Sequence, residues 1–116
     1  YVRPQKKKHG LGNQIEGQLL TTADIVVVED LVSPGKCSLA AVEALRAAGC
    51  EVKHMLAIFD YGFKQTANLF TKNKLDLVTL CDYEHLIKKA KELNYINDSH
   101  IETLLNWRLN PAKWGK

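Results

Sequence analysis

The segment from Ile25 to Ser38 restricts the possible fold of this chain more than any other stretch. It reads Ile-Val-Val-Val-Glu-Asp-Leu-Val-Ser-Pro-Gly-Lys-Cys-Ser. The β-branched apolar run predicts a buried strand, and the Ser-Pro-Gly loop leads into a helical pattern. The first N–H groups of a helix favour a phosphate, and two adjacent carboxylates can bind sugar hydroxyls or a divalent metal. The segment therefore predicts a site for a phosphorylated sugar at the carboxyl end of a strand.

Two better-known phosphate motifs are absent from the sequence. A P-loop needs glycine five residues before Gly35 and a serine or threonine after Lys36, where this chain has Asp30 and Cys37. A dinucleotide-binding turn needs a preceding hydrophobic strand and a fixed glycine spacing, and the glycines at 10, 12 and 17 meet neither condition. Neither motif therefore explains the segment.

Strand and helix patterns alternate along the chain. The predicted elements are a central buried strand at 25–30, a helix at 38–48 that stops at Gly49, a second buried strand at 52–60, a helix at 64–73 and a strand at 75–80. This alternation predicts right-handed crossovers and an α/β fold with a mainly parallel sheet flanked by helices.

The C-terminal part of the chain predicts two further helices. Asp82 can cap the first of them, and Ser99 with Glu102 forms a capping-box pattern for the last one, which Asn110-Pro111 ends. Three strands are few for an open sheet of this kind. Because the chain also begins with Tyr1 instead of methionine, we expect it to belong to a longer protein whose N-terminal part precedes Tyr1.

Composition and charge narrow the class of protein. Apolar residues make up 46% of the 116 residues and charged residues 25%, as in ordinary globular proteins, and no apolar run is long enough to span a membrane. Three widely spaced cysteines without a CxxC pair favour reduced thiols in the cytoplasm over disulfides or a zinc site. The net charge of +3 is concentrated in residues 1–10. A nucleic-acid binder spreads its basic residues over a face, so none is expected as a partner.

Residues 25–38 resemble the ribose-phosphate signature of the type I phosphoribosyltransferases. A second motif precedes it: Arg3-Pro4-Gln5-Lys6-Lys7-Lys8-His9-Gly10, continuing to Glu16-Gly17, resembles the flexible catalytic loop (residues 1–17) of the orotate phosphoribosyltransferase family. The two motifs in this order are more specific than either alone. The resemblance extends through Phe59–Phe63 to Trp107 and Trp114, so that residues 1–116 are matched to the C-terminal portion of one such domain.

The resemblance implies roles for individual residues. Arg3, Lys7 and His9 would contact the pyrophosphate of phosphoribosyl pyrophosphate, with Lys7 catalytic. Glu29 and Asp30 would bind the ribose hydroxyls, and Asp30 would also stabilise the cationic sugar of the transition state. The turn from Ser33 to Cys37 would bind the 5′-phosphate. The implied substrate-binding set is Arg3, Lys7, His9, Glu29, Asp30, Leu31, Val32, Ser33, Pro34, Gly35, Lys36 and Cys37, and no side chain is assigned as a dedicated metal ligand.

The same resemblance implies an activity and its requirements. The complete protein would be a pentosyltransferase that converts orotate and phosphoribosyl pyrophosphate into orotidine 5′-monophosphate and pyrophosphate in pyrimidine biosynthesis. It would use Mg²⁺, act in the cytoplasm and form a homodimer with shared active sites. Three positions depart from the family pattern: Pro4 replaces a second lysine, Pro34 lacks an N–H group, and Tyr61 stands where some members have an arginine that touches orotate.

Three alternatives remain open at this level. A transcriptional regulator could keep the phosphoribosyl pyrophosphate site without catalysis, and a phosphoribosyltransferase could act on a different nucleobase. A nucleic-acid module could use the basic arm at 3–8, in which case binding would weaken steeply with salt.

Overall fold

A computed structural model describes residues 1–3 and 14–114, which form an α/β unit. Its elements in chain order are β1 (Ile25–Val32), α1 (Lys36–Ala47), β2 (Val52–Asp60), α2 (Lys64–Lys72), β3 (Asp76–Asp82), α3 (Tyr83–Glu92), α4 (Asp98–Leu109) and a 3₁₀ turn (Pro111–Lys113). Every predicted strand and helix is present. β1 and β3 each run two residues further than expected, and α1 begins two residues earlier.

The three strands form one parallel sheet in the order β1-β2-β3. Val28 lies opposite Leu56, which in turn lies opposite Val78, so the strands are in register across the sheet. This confirms the predicted parallel α/β class. The expectation that β1 is a central strand is wrong for the described part of the chain, where β1 lies at one edge of the sheet.

The hydrophobic core lies on one face of the sheet, beneath α1 and α2. Leu39, Val42 and Leu45 project from α1 at helical spacing, and they meet Met55 and other buried strand residues. Phe70 of α2 joins the same cluster. Both helices are expected on this one side, because right-handed crossovers between neighbouring strands in sequential order place them there.

The opposite face of the sheet, which we call the open face, is exposed. Its large apolar residues are Val26, Val28, Leu56, Ile58, Val78 and Leu80, with exposed fractions from 44% to 85%. The sequence predicted that the strands at 25–30 and 52–60 are buried, and this is wrong for half of their side chains. The physical reason is that alternate strand residues point to opposite faces, and α1 and α2 cover only one of the two.

Arg46 connects three segments at the amino edge of the sheet by hydrogen bonds. Its Nε donates to the carbonyl oxygen of Val52 at 3.1 Å, and its Nη1 donates to the carbonyl oxygen of Asn73 at 2.8 Å. It therefore joins the last turn of α1 to the start of β2 and to the turn before β3. Lys74, in that turn, has a positive φ of 51°, and its carbonyl oxygen also accepts a bond from Arg46.

The cap of α4 differs from the sequence prediction. Asn97, not Ser99, is the N-cap: its side chain accepts from the His100 N–H at 3.1 Å, and the His100 ring accepts from the Asn97 N–H. The Ser-x-x-Glu pattern lies two residues later, inside the helix. Asn is as good an N-cap as Ser, so the pattern alone did not separate the two registers. The predicted Asp82 cap of α3 and the end of α4 before Pro111 are confirmed.

Candidate active site

The turn between β1 and α1 is shaped by Gly35. This residue has φ +77°, and a Cβ built on it would lie 2.8 Å from Thr66 Cγ2 and 2.9 Å from Phe70 Cε1. Both distances are shorter than carbon atoms tolerate, and L-residues avoid this backbone region. Only glycine therefore allows the Ser33–Gly35 turn to pack directly against α2.

The same turn leaves the first amide groups of α1 without side-chain partners. Gly35 is the N-cap residue and offers no capping side chain, and the first intrahelical bond runs from the Leu39 N–H to the Gly35 carbonyl at 2.9 Å. The N–H groups of residues 36–38 precede that bond and have no intrahelical acceptor. Pro34 has no N–H group to add. The helix start is therefore uncapped, which is the geometry that an anion site requires, and phosphate binding there stays a prediction.

Glu29 and Asp30 lie within β1, because the strand continues beyond them to Val32. Asp30 is exposed and its Oδ1 accepts from the Leu31 N–H at 2.7 Å, while Glu29 is half-buried. Both acids lie in the carboxyl half of β1, near the edge of the sheet at which the Ser33–Gly35 turn follows the strand. The two acids therefore lie in the strand that leads directly into the Ser33–Gly35 turn, and their predicted ribose contacts stay a prediction.

The described residues do not form a side-chain cage for a metal. No group of three or more His, Cys, Asp or Glu side chains in residues 1–3 and 14–114 is arranged to hold an ion. Mg²⁺ characteristically keeps several waters and binds through one or two carboxylates together with substrate phosphates. The exposed Asp30 carboxylate fits that mode, which needs no cage.

The basic segment begins and ends on a short antiparallel ladder, which we call the loop stem (residues 1–3 and 14–16). Val2 pairs with Ile15, the Arg3 N–H donates to the Gln14 carbonyl at 2.8 Å, and the Glu16 N–H donates to the Tyr1 carbonyl at 2.8 Å. Val2 and Ile15 also pack against the hydrophobic core. The sequence reasoning missed this pairing, since neither strand of the ladder is longer than three residues.

Arg3 is held by the loop stem. Its Nη2 lies 2.8 Å from Glu16 Oε1, and its guanidinium lies over the Tyr1 ring. The predicted contact between Arg3 and pyrophosphate stays a prediction. In that contact the pyrophosphate would compete with Glu16 for the Arg3 guanidinium. Lys7 and His9, the other two predicted pyrophosphate contacts, lie outside the described residues, and so does the Pro4 departure.

A cavity of about 590 Å³ opens beside the Ser33–Pro34 turn. Its walls come from the β2–α2 connection and from the end of α4, including Tyr61, Phe63, Trp107 and Arg108. Tyr61 lies at the centre of an aromatic cluster: its ring stacks on Phe63 at 5.4 Å and meets Trp107 edge-on at 5.6 Å. Trp107 therefore packs the end of α4 against the β2–α2 connection.

Asp60 is a further acid at the carboxyl edge that the motif reasoning did not single out. It ends β2, lies opposite Val32, and its Oδ1 is buried without a hydrogen-bond partner in the described structure. The sequence contained a signal for this acid, because each of the three parallel strands carries an aspartate in its carboxyl half. Tyr61 follows it directly and donates its N–H toward the Val32 carbonyl at 3.5 Å.

The three cysteines are all free. Cys37 is exposed in the first turn of α1, Cys50 is buried in the core, and Cys81 is half-buried on β3. The described helices include none that is both long and apolar enough to cross a membrane.

Comparison with known proteins shows which proteins the chain is similar to. The chain is 48% identical over 116 residues to the orotate phosphoribosyltransferase of Listeria monocytogenes, a match that covers 100% of the chain and 56% of that protein. It is 48% identical over 115 residues to the Bacillus caldolyticus enzyme of the same name, covering 99% of the chain and 56% of the relative. It is homologous to the orotate phosphoribosyltransferases. No family model matches the sequence.

Solved structures agree with the fold of these phosphoribosyltransferases. A Leishmania donovani UMP synthase matches 79% of the chain and 20% of its own length with a TM-score of 0.65 at 25% identity. A Corynebacterium diphtheriae phosphoribosyltransferase matches 73% of the chain and 49% of its own length with a TM-score of 0.62 at 30% identity. The chain spans just over half the length of the curated orotate phosphoribosyltransferases that it matches, as expected for a C-terminal half.

Proposed function

We propose that this chain is the phosphoribosyl-binding half of an orotate phosphoribosyltransferase, whose complete form transfers the phosphoribosyl group of phosphoribosyl pyrophosphate to orotate. The observation that carries the proposal is the Ser33–Gly35 turn. It joins a strand bearing two acids to an uncapped helix start, in a chain homologous over its whole length to enzymes of that name. Neither a regulator nor a nucleic-acid module has comparable support.

The phosphate end of the donor would be bound by backbone amides. The N–H groups of residues 36–38 point out of the start of α1, and the helix dipole adds a positive potential there. The side chains of Lys36 and Cys37 are exposed beside them. Because glycine alone fits at position 35, the position of these amides is set before the ligand arrives, which lowers the entropy lost on binding.

The ribose would lie against Glu29 and Asp30. In the reaction the bond between C1 of the ribose and the pyrophosphate oxygen breaks while a ring nitrogen of orotate bonds to C1. Positive charge develops on the sugar and negative charge on the leaving pyrophosphate. The exposed carboxylate of Asp30 would stabilise the cationic sugar, and Lys7, His9 and Arg3 would stabilise the leaving group. Positioning in a closed site supplies the remaining rate enhancement.

Mg²⁺ is part of this proposal. It would be held mainly by pyrophosphate and ribose oxygens, with the Asp30 carboxylate within the same site, and it would neutralise charge on the leaving group. We further propose a cytoplasmic homodimer in which the basic loop of one subunit reaches the site of its neighbour. The free cysteines are in keeping with that compartment.

The direct test is turnover by the complete protein. Orotate, phosphoribosyl pyrophosphate and Mg²⁺ should give orotidine 5′-monophosphate. If the protein instead accepts uracil or a purine and not orotate, the family assignment stands and the acceptor is wrong. Binding of phosphoribosyl pyrophosphate without turnover of any base would favour the regulator.

Cys37 provides a test of the phosphate turn alone. Its thiol is exposed at the start of α1, whereas Cys50 is buried, so iodoacetamide should modify Cys37 first. Saturating ribose 5-phosphate should slow modification of Cys37 by roughly tenfold or more and leave Cys81 unaffected. Equal rates of Cys37 modification with and without the sugar phosphate would show that the turn is not part of the phosphate-binding site.

A further inference from the structure

The cavity beside the Ser33–Pro34 turn has flat walls formed by the rings of Tyr61, Phe63 and Trp107, and we call it the aromatic cavity. The Tyr61 and Phe63 rings are parallel to within 9°, and Trp107 meets Phe63 edge-on at 5.9 Å. The volume of about 590 Å³ is within the range of pockets that hold small molecules. Because aromatic rings pack best against other flat groups, the walls favour a planar ligand.

The charged side chains that line the aromatic cavity are basic. Arg108 and Lys64 belong to its walls, and none of its lining residues in the described part of the chain is an aspartate or a glutamate. Lys64 also begins α2, whose N-cap residue Phe63 supplies no capping side chain. The dipole of that helix adds to the positive potential on the same wall. A ligand of this cavity is therefore expected to carry negative charge.

Arg108 has hydrogen-bonding capacity left for a ligand. Its Nη2 donates to Glu84 Oε1 at 2.8 Å, and its guanidinium lies over the Tyr83 ring. Within residues 1–3 and 14–114, neither its Nη1 nor its Nε has a hydrogen-bond acceptor. Nη1 lies against the β2–α2 connection, since a Cβ built on Gly62 would be 3.6 Å from it. A planar guanidinium with free donors is well suited to bind a carboxylate.

We propose that Arg108 determines acceptor specificity by pairing with the carboxylate of the base, while the aromatic cavity holds the ring. Orotate is a planar pyrimidine with one carboxylate, so it has both features that the cavity walls favour. Uracil is the same ring without the carboxylate and would gain nothing from Arg108. This role rests on the proposed function for the identity of the acceptor, and it adds the residue that separates orotate from uracil.

The aromatic cavity is adjacent to the proposed donor site. Ser33 and Pro34 line the cavity, and the same turn leads into the start of α1, where the phosphate of the donor is proposed to bind. A base in the cavity and a sugar phosphate at α1 would thus share one turn. Because Arg108 belongs to α4, a base held there by its carboxylate would have its ring between α4 and the turn. That placement leaves the ring nitrogens free of the arginine.

The test compares three variants of the complete protein. Arg108→Met should raise the KM for orotate by roughly 10- to 100-fold, because one charge-assisted pair is lost, and should change the KM for phosphoribosyl pyrophosphate by less than about threefold. Glu84→Gln removes the charge that pairs with Arg108 but keeps the guanidinium, so the KM for orotate should stay unchanged. Lys72→Met removes a positive charge from the last turn of α2, outside the cavity, and should also leave it unchanged.

Calorimetric titration with orotate gives a second readout that needs no turnover. Arg108→Met should weaken orotate binding by the same factor, and Glu84→Gln should not weaken it. If the unmodified protein binds orotate in this way but turns over no base, the proposed function is wrong and the role of Arg108 stands. Three results would overturn that role: unchanged orotate KM and affinity in Arg108→Met, an equal loss in Glu84→Gln, or displacement of orotate by an equal concentration of inorganic phosphate.

Discussion

Glu29 and Asp30 are neighbours in the chain, but their side chains point to opposite faces of the sheet. Glu29 shares the helix-covered face with its cross-strand partner Ala57, which is buried, and Asp30 points to the open face. The two acids therefore approach a ligand at the carboxyl edge from different sides, and they need not contribute equally to catalysis.

This arrangement predicts different kinetic effects for the two amide variants. In the complete protein, Asp30→Asn should lower kcat by roughly 100-fold, because it removes a charge that stabilises the cationic sugar. The amide oxygen of Asn can still accept the Leu31 N–H, so the fold should be unchanged. Glu29→Gln should mainly raise the KM for phosphoribosyl pyrophosphate. Steady-state kinetics separates the two, and a larger loss of kcat in Glu29→Gln would contradict the assignment.

The phosphate turn should not tolerate a side chain at Gly35. Gly35→Ala should lower the free energy of unfolding by roughly 2–4 kcal/mol, since it adds overpacking against Thr66 and Phe70 to the cost of a positive φ. Gly17→Ala is the matched control: its φ is +96°, and within the described part of the chain no atom lies within 4 Å of the added Cβ. That variant should lose only about 1–2 kcal/mol. Urea denaturation measures both, and equal losses would show that packing at Gly35 is unimportant.

Arg46 should contribute to stability more than another half-buried arginine. Arg46→Met keeps the alkyl chain but leaves the carbonyls of Val52, Asn73 and Lys74 without their donor. We expect a loss of about 2–4 kcal/mol in the free energy of unfolding. Arg108→Met, which breaks a pair with the exposed Glu84 at 2.8 Å, should lose about 1 kcal/mol. The prediction is wrong if the two variants unfold at the same denaturant concentration.

The N-cap of α3 should make the free energy of unfolding depend on pH in the acid range. Hydrogen bonds from the His85 backbone N–H and then its side chain lower the pKa of Asp82 below its ordinary value. A lowered carboxyl pKa gives stability that is present above about pH 4 and is lost as the pH falls through the folded-state pKa. Asp82→Asn should keep the cap and reduce this acid dependence, whereas Asp82→Ala should lose about 1 kcal/mol at neutral pH. Denaturation at several pH values distinguishes them.

The loop assignments can be tested on the complete protein. Lys7→Ala should reduce kcat by roughly 100-fold with little change in donor binding, because it would meet charge that grows only as pyrophosphate leaves. Lys8→Ala is the control and should change little. If sites are shared across a dimer, mixing Lys7→Ala with Asp30→Asn subunits should restore activity through one intact site per heterodimer. Heterodimers that form but stay inactive would rule out shared sites.

Most of the fold was predictable because local signals agreed with the tertiary arrangement. Asp82 and Gly49 mark helix ends by their own chemistry, and the apolar runs mark the strands, whatever packs around them. Burial was less predictable, since the exposure of Val28 or Leu80 depends on which elements are present to cover them. The stem that pairs Val2 with Ile15 was missed because a three-residue ladder has no periodicity, and the cavity beside Tyr61 was missed because it is built from segments far apart in sequence.

The loop stem limits how far from the sheet the basic segment can reach. Ten residues, 4–13, connect Arg3 to Gln14, and covalent geometry limits such a connection to about 35–40 Å of contour. Because both ends join the same short ladder, no backbone atom of residues 4–13 can lie further from the stem than roughly half of that length, about 18–20 Å. Any anion that Lys7 or His9 neutralises must therefore lie within that distance of the stem, extended by the length of one side chain, and the same limit applies to the ribose site of a neighbouring subunit.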